Sequence, residues 1–292
     1  MTQPGGESRV LLTGGSGLVG HAILHRLRAD GEPVLALGRD NGGDLARSPW
    51  PSKSWDVIVH CAARLPAQFG GPEEAAAAAE NRMLDDRALD LASATGAHLV
   101  YVSSASVWGR VSGEITEATP VAPDLVYARE KLATEAAITA RGISATVFRL
   151  VAPYGPRQSR QTVLRRFIDL ALTGMPLRYF GSGSRTQDFL HVDDAATAVA
   201  LAVRHREPDC FVLASGEAIA MCDLARLVVE ATGSKSAVEP AGVPDQEEGR
   251  TVRYRIDHLH DRLGFRPAMS LRAGIAAWAS VRRRELVSGD AP

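Results

Sequence analysis

Short apolar runs alternate with longer amphipathic ones along most of the chain, and the alternation predicts strands feeding helices. Arg9-Val10-Leu11-Leu12 is the first short run and Pro33-Val34-Leu35-Ala36-Leu37 the second. Asp56 to Ala63, Leu99-Val100-Tyr101-Val102 and Ser144 to Leu150 continue the series. Their near-continuous apolar character suits strands covered on both faces, as a parallel sheet requires. Helical spacing fills the intervals: from the glycines after Leu12 to about Arg28, from Pro72 to Ala94, and from Tyr127 to a stop at Gly142. The alanine run Ala75 to Ala79 reads as high helix propensity. Further on, Val163 to Thr173 has helical spacing, and Asp193-Asp194 opens a helix whose dipole the two acids complement. Cys210 to Leu213 reads as a strand, Asp223 to Ala231 as a helix ended near Gly233, Ser236 to Gly249 as a polar loop, and Leu271 to Val281 as an amphipathic helix. The fold expected is α/β, a doubly wound parallel sheet with a smaller C-terminal lobe.

Composition narrows the partners. The 292 residues carry 33 Lys plus Arg against 34 Asp plus Glu, so no charge excess points to nucleic acid or an anionic membrane. A small molecule is the expected ligand. Cys61, Cys210 and Cys222 are odd in number and form no CxxC, which argues against a disulfide framework or a zinc site and suits a reducing compartment. No apolar run approaches the roughly 20 residues that span a bilayer, and Met1 to Arg9 is polar, without the core of a secretory signal. The cytoplasm is therefore expected, and no metal site is assigned.

Three stretches carry candidate chemistry. Thr13-Gly14-Gly15-Ser16-Gly17-Leu18-Val19-Gly20 sits between a strand and a helix, where glycines let the backbone turn tightly and approach a pyrophosphate at the helix N-terminus. Ser103-Ser104-Ala105-Ser106 puts hydroxyls at the carboxyl end of a strand, which faces a ligand crevice in such sheets. Tyr127 and Lys131 lie i,i+4 on one helix face. An ammonium beside a phenol favours the phenolate, so Lys131 is expected to bring Tyr127 down from about 10 towards a base that works near neutrality.

Strand-end serine, Tyr-x-x-x-Lys helix and the TGxxGxxG opening together resemble the extended short-chain dehydrogenase/reductases, the NAD(P)-dependent epimerase/dehydratase family. The likeness continues in Asp56-x-x-x-His60-x-Ala62-Ala63, in Arg149 to Tyr154-Gly155-Pro156, in Gly181 to Asp194 and in Leu263-Gly264-Phe265-Arg266-Pro267, and so spans nearly the whole chain. It implies a Rossmann-type domain over 8–153 and 193–215, a substrate lobe over 154–192 and 216–285, and a homodimer. It implies catalytic roles for Ser104, Tyr127 and Lys131, with Ser104 rather than Ser103 as the catalytic hydroxyl. Cofactor contacts are implied for Gly14, Gly17, Leu18, Val19, Arg39, Asp44, Leu45, Cys61, Ala62, Ala63, Tyr127, Lys131 and Pro153, and substrate contacts for Ser104, Ser106, Arg185 and Gln187. His60 is expected to be a satisfied core histidine. Asn81 is expected either near the active site or as an exposed helical residue.

Departures from the family pattern shape the expected activity. The acid that would hold a free ribose 2′-hydroxyl is replaced by Gly38, with Arg39 after it, which favours NADP over NAD, although Asp40 is within reach of the ribose. Residues 41–54 are short and loop-like where the family has a third strand and a helix. Gln187 stands where an arginine often holds a sugar-nucleotide diphosphate, and Arg185 is the candidate substitute. Ala105-Ser106 replaces the Asp-Glu pair of the 4,6-dehydratases, which disfavours water elimination. The expected function is an oxidoreductase acting on a nucleotide-activated sugar, a ketoreductase first and a 4-epimerase second. A non-catalytic nucleotide-binding sensor or scaffold is the reading from another class, and the intact Ser104, Tyr127 and Lys131 weigh against it.

Overall fold

The computed structural model describes residues 9–38, 45–46, 48–51, 54–69 and 71–288. The chain runs β1 (Val10–Thr13), α1 (Leu18–Ala29), β2 (Val34–Leu37), β3 (Val57–His60), α2 (Glu74–Thr95) and β4 (His98–Ser104). A 3₁₀ turn over Ala105–Trp108 leads to β5 (Gly113–Ile115), α3 (Val126–Ala140), β6 (Ala145–Leu150), β7 (Pro153–Tyr154) and α4 (Val163–Leu172). There follow β8 (Leu177–Tyr179), β9 (Thr186–Asp188), β10 (Leu190–His191), α5 (Val192–His205) and β11 (Asp209–Leu213). The last elements are β12 (Ala218–Ala220), α6 (Met221–Thr232), β13 (Val238–Pro240), β14 (Val252–Tyr254), α7 (Asp257–Leu263) and α8 (Leu271–Ser288).

The main sheet has the order β11-β6-β4-β3-β1-β2 and every pairing in it is parallel. Strands β1, β3 and β6 are buried at every position, which is why their sequences are largely apolar and do not alternate. The chain leaves β1 for β2 on one side and returns to place β3 on the other. The carboxyl ends of β1 and β3 therefore flank the crevice where such sheets bind ligands.

One core lies between the sheet and helices α1 and α5, built from Val10, Leu12, Ile23, Leu27, Phe148, Val199 and Phe211. A second, on the other face, joins Leu11, Ile58, Leu99 and Tyr101 to Leu89 of α2 and Ile138 of α3. A third core lies in the second lobe, where Phe167, Ile168, Leu224, Val228, Ile275 and Trp278 bring α4, α6 and α8 together. The segment 236–249, expected as loop, contains β13, which pairs with β8. Likewise β14 pairs with β5 across more than a hundred residues of chain. Such short strands exist by long-range partnership, which local periodicity does not report. Among the described residues no helix is long and apolar enough to cross a membrane, and no group of three or more His, Cys, Asp or Glu side chains is placed to hold a metal.

The two acids that open α5 behave differently. Asp194 is buried and accepts from the backbone N–H groups of Ala268 and Met269, both at 3.0 Å, tying the C-terminal segment to the helix start. The Asp193 side chain is 70 % exposed. Asp194→Ala should lower stability by about 2 to 4 kcal/mol, since it removes two hydrogen bonds to a buried charge. Asp193→Ala should change it by less than about 1 kcal/mol. Urea unfolding of both variants checks this; equal effects would contradict it.

Candidate active site

Thr13 ends β1, and Gly14 follows at φ +79°, a left-handed conformation that glycine adopts without strain. A Cβ there would stand 2.7 Å from the Ala62 nitrogen, and one on Gly20 would stand 2.1 Å from the Gly14 carbonyl oxygen. Side chains at either position would push α1 off the end of β3. The first turn of α1 begins at Gly17 with no side-chain cap and no acid, so its dipole end is left for an anion. Cys61 donates its thiol to the Thr13 carbonyl at 2.9 Å, and burial pushes that thiol up to about 12, so it acts as a small packed donor rather than a nucleophile. Gly14, Gly17, Leu18, Val19, Cys61, Ala62 and Ala63 thus gather at one crevice. Leu18, Ala63 and Pro153 line a cavity of about 510 Å³ together with Gln187. Arg39 and Asp44 lie outside the described residues. The Leu45 carbonyl accepts from Trp50 Nε1 at 2.9 Å and from Arg87 Nη1 at 2.6 Å.

At the end of β4, strand alternation separates the two serines. Ser103 is buried and donates to Glu135 at 2.5 Å, and Glu135 in turn pairs with Arg149 at 2.8 Å. Ser104 faces the other way. Its oxygen accepts from the Ser106 hydroxyl at 2.8 Å and from the Ser106 N–H at 3.2 Å, and it stands close enough to the Tyr127 phenol to favour its ionised form. Both Tyr127 and Lys131 lie on α3, and Lys131 Nζ stands 6.0 Å from the Tyr127 ring centroid and 4.5 Å from that of Tyr101. Lys131 is 1 % exposed, and its Nζ makes no hydrogen bond among the described residues.

The electrostatics differ from expectation. Tyr127 is raised from its ordinary value, because desolvation of the phenol outweighs the lowering by Lys131, and Asp85 adds to the rise. Lys131 is also raised, since the Asp85 carboxylate and the two tyrosines overcome the burial penalty on the ammonium. Asp85 had no signal as a site residue. It stands 3.9 Å from Lys131 Nζ and accepts from His60 Nε2 at 2.8 Å, the Tyr101 hydroxyl at 2.9 Å and the Thr134 hydroxyl at 2.8 Å. His60 is fully buried with both ring nitrogens satisfied, the second bonding Thr13 Oγ1 at 2.7 Å. Asn81 is buried too. Its amide bonds both the N–H and the carbonyl of Arg64, at 2.6 and 2.9 Å, pinning the strand-to-helix loop.

Two further cavities continue from the crevice. Gln187 is shared by the first cavity and one of about 320 Å³ that also takes in Ser106, Asp124, Arg185 and Arg250. Arg185 in turn borders a third, of about 930 Å³, walled by Phe167, Tyr179, Phe180 and Arg166. Arg185 and Gln187 therefore do face the same space. Arg185 is already paired, its Nε 2.9 Å from Asp245 and its Nη1 3.7 Å from Glu247. Sequence reasoning missed Arg160 and Arg166, which line the first and third cavities and have no ion-pair partner among the described residues; Arg160 lies 4.9 Å from the Phe69 ring centroid.

A parallel sheet with a glycine turn at its crevice and a Tyr/Lys helix beside it defines a Rossmann-type nucleotide-binding fold of the dehydrogenase class. More particularly, the chain belongs to the NAD dependent epimerase/dehydratase family, which matches residues 10–214. Over 92 % of its length it is 27 % identical to a dTDP-glucose 4,6-dehydratase of Streptomyces griseus, covering 92 % of that protein. Among solved structures, MoeE5 in complex with UDP-glucuronic acid and NAD is 26 % identical, with a TM-score of 0.82 over 95 % of this chain and 100 % of that one. RMD from Pseudomonas aeruginosa, complexed with NADPH, shares the fold at a TM-score of 0.81 and 23 % identity, over 95 % of this chain and 99 % of that one.

The buried ion pair has a measurable consequence. Lys131→Met leaves the Asp85 carboxylate buried without its counter-charge and should destabilise the protein by about 3 to 5 kcal/mol at neutral pH. Lys131→Met/Asp85→Asn should regain part of that loss. Urea denaturation of both variants measures it, and a double variant no more stable than Lys131→Met would contradict the pairing.

Proposed function

We propose that this chain is an NADP-dependent ketoreductase that reduces a keto carbon of a nucleotide-activated sugar. One observation carries the reading: the Tyr127 phenol, the Ser104 hydroxyl and the unbonded Lys131 ammonium converge at the crevice that the glycine turn opens. A dinucleotide suits the residues present. Gly14, Gly17, Leu18 and Val19 offer backbone to a pyrophosphate, Ala62 and Ala63 leave room beside it, and Lys131, whose Nζ makes no hydrogen bond among the described residues, is a buried donor for ribose hydroxyls. The bound nicotinamide supplies the hydride. Tyr127 gives its proton to the carbonyl oxygen as negative charge builds there. Ser104 steadies that oxygen with a hydrogen bond, and Ser106, donating to Ser104, fixes its orientation. On the substrate side Gln187 offers a neutral amide, while Arg160 and Arg166 offer unpaired charge suited to a diphosphate. The aromatic walls of the third cavity suit a nucleobase.

The choice of reductase over dehydratase rests on Ala105 and Ser106, which supply no carboxyl for water elimination. The choice of NADP rests on position 38. A Cβ on Gly38 would stand 2.8 Å from Ser16 Oγ, so no acid fits there, and Arg39 follows. The fold accepts both cofactors in other proteins, NAD in MoeE5 and NADPH in RMD, so the decision lies in these residues.

Tyr127→Phe should reduce turnover by about 10²- to 10⁴-fold while cofactor affinity changes little, because the ring remains and the acidic proton goes. Steady-state rates together with a fluorescence titration of NADPH test both halves; near-wild-type turnover would sink the catalytic assignment.

Arg39→Ala should erase a preference for NADPH over NADH of about ten- to a hundredfold, the worth of charge-assisted bonds of roughly 1.5 to 3 kcal/mol to a 2′-phosphate. Paired titrations of wild type and variant decide it. A wild type that binds NADH as well as NADPH would turn the reading towards a 4-epimerase, which retains NAD through its cycle.

A further inference from the structure

Asp85 is a carboxylate on α2, 2 % exposed, that the chemistry proposed above does not use. Donors from three elements converge on it: His60 from β3, Tyr101 from β4 and Thr134 from α3. A carboxylate accepts only, so the His60 Nε2 carries the proton of that bond. Burial opposes ionisation of Asp85, but the Lys131 ammonium, His60 and Thr134 together outweigh it and hold the carboxyl well below its usual range. Asp85 and Lys131, 3.9 Å apart, are thus a charged pair closed off from water.

Charge counting within that enclosure gives the pair a consequence for Tyr127. With Asp85 ionised, Lys131 protonated and Tyr127 a phenol, the group is neutral, and removing the phenol proton leaves a net negative charge beside the buried pair. Without a carboxylate at position 85 the same loss would take the group from positive to neutral. Coulomb energies are large at low dielectric, so the two cases differ strongly. The groups around the phenol are Lys131 from its own helix, Asp85 from α2, Ser104 from β4 and Arg160 from the segment before α4. Cys61, after β3, and Tyr101 face Lys131. Among those groups Asp85 is the anion, and it works against Lys131 and Arg160.

We propose that Asp85 is a positioning residue whose carboxylate compensates the Lys131 ammonium, keeps Tyr127 a phenol at neutral pH, and so sets the site to donate a proton during carbonyl reduction. The chemical direction rests on the reductase reading; the charge compensation does not.

Titration of tyrosinate absorbance in the cofactor-free protein tests it, Tyr127 being isolated as the difference from Tyr127→Phe. In the wild type the midpoint should lie at or above that of free tyrosine, about 10. In Asp85→Asn, referred to Asp85→Asn/Tyr127→Phe, it should fall by about one to two pH units. A wild-type midpoint below about 9, or an Asp85→Asn midpoint that is unchanged or higher, would overturn the proposal. Should Asp85→Asn fail to fold, the wild-type midpoint decides alone. No substrate enters the titration, so its outcome is independent of whether a keto sugar is reduced. With such a substrate, the pH limb of the reverse, oxidative direction should move down in Asp85→Asn by the same amount, a shift that a merely structural aspartate would not produce.

Discussion

An ammonium buried to 1 % exposure needs a counter-charge, and much of the nucleotide-binding half of this protein is arranged around that need. Lys131 reaches inward from α3, Asp85 from α2 meets it, and Tyr101 supplies an aromatic face 4.5 Å from the nitrogen. His60 then extends the network to Thr13, the last residue of β1 and the first of the glycine turn. A continuous buried polar chain therefore links the turn proposed to hold a pyrophosphate to the helix proposed to carry the chemistry. Among the described residues each member except Lys131 Nζ has a hydrogen bond within the protein, which fixes the members in place and leaves the ammonium as the donor without one.

The same arrangement explains why the Tyr/Lys spacing alone misjudges the phenol. Counting only the ammonium lowers Tyr127 towards neutrality. In the folded protein, desolvation and the anion behind Lys131 reverse the sign.

How far the fold could be read depended on the range of the interactions. Largely apolar strands such as Val57–His60 and the glycine turn at Gly14 announce themselves locally, and so did the main sheet and the helices around it. Strands β5, β13 and β14 have three residues each and exist only because a partner lies far along the chain. Asp85, and the burial of Asn81, were hidden for another reason. Polar residues on a helix read as solvated, yet both fall on the stripe of buried positions that includes Ala77, Ala78, Leu84, Ala88 and Ala92. Their i,i+4 spacing within that stripe was the signal available in the sequence. Arg160 and Arg166 carried no such signal, since what marks them is the lack of an ion-pair partner among the described residues. The roles of Arg185 and Gln187 likewise turned on tertiary contact, because Asp245 and Glu247 occupy the arginine from a segment about sixty residues away.

The proposed activity is net reduction: a carbonyl enters, an alcohol leaves, and a nicotinamide is consumed. The most direct measurement mixes the purified protein with NADPH and a nucleoside diphosphate keto sugar, follows the reduced-nicotinamide absorbance, and quantifies the sugar products. One NADPH lost for each ketone converted to an alcohol is the predicted result. Interconversion of epimeric nucleotide sugars with no net loss of reduced nicotinamide would contradict it.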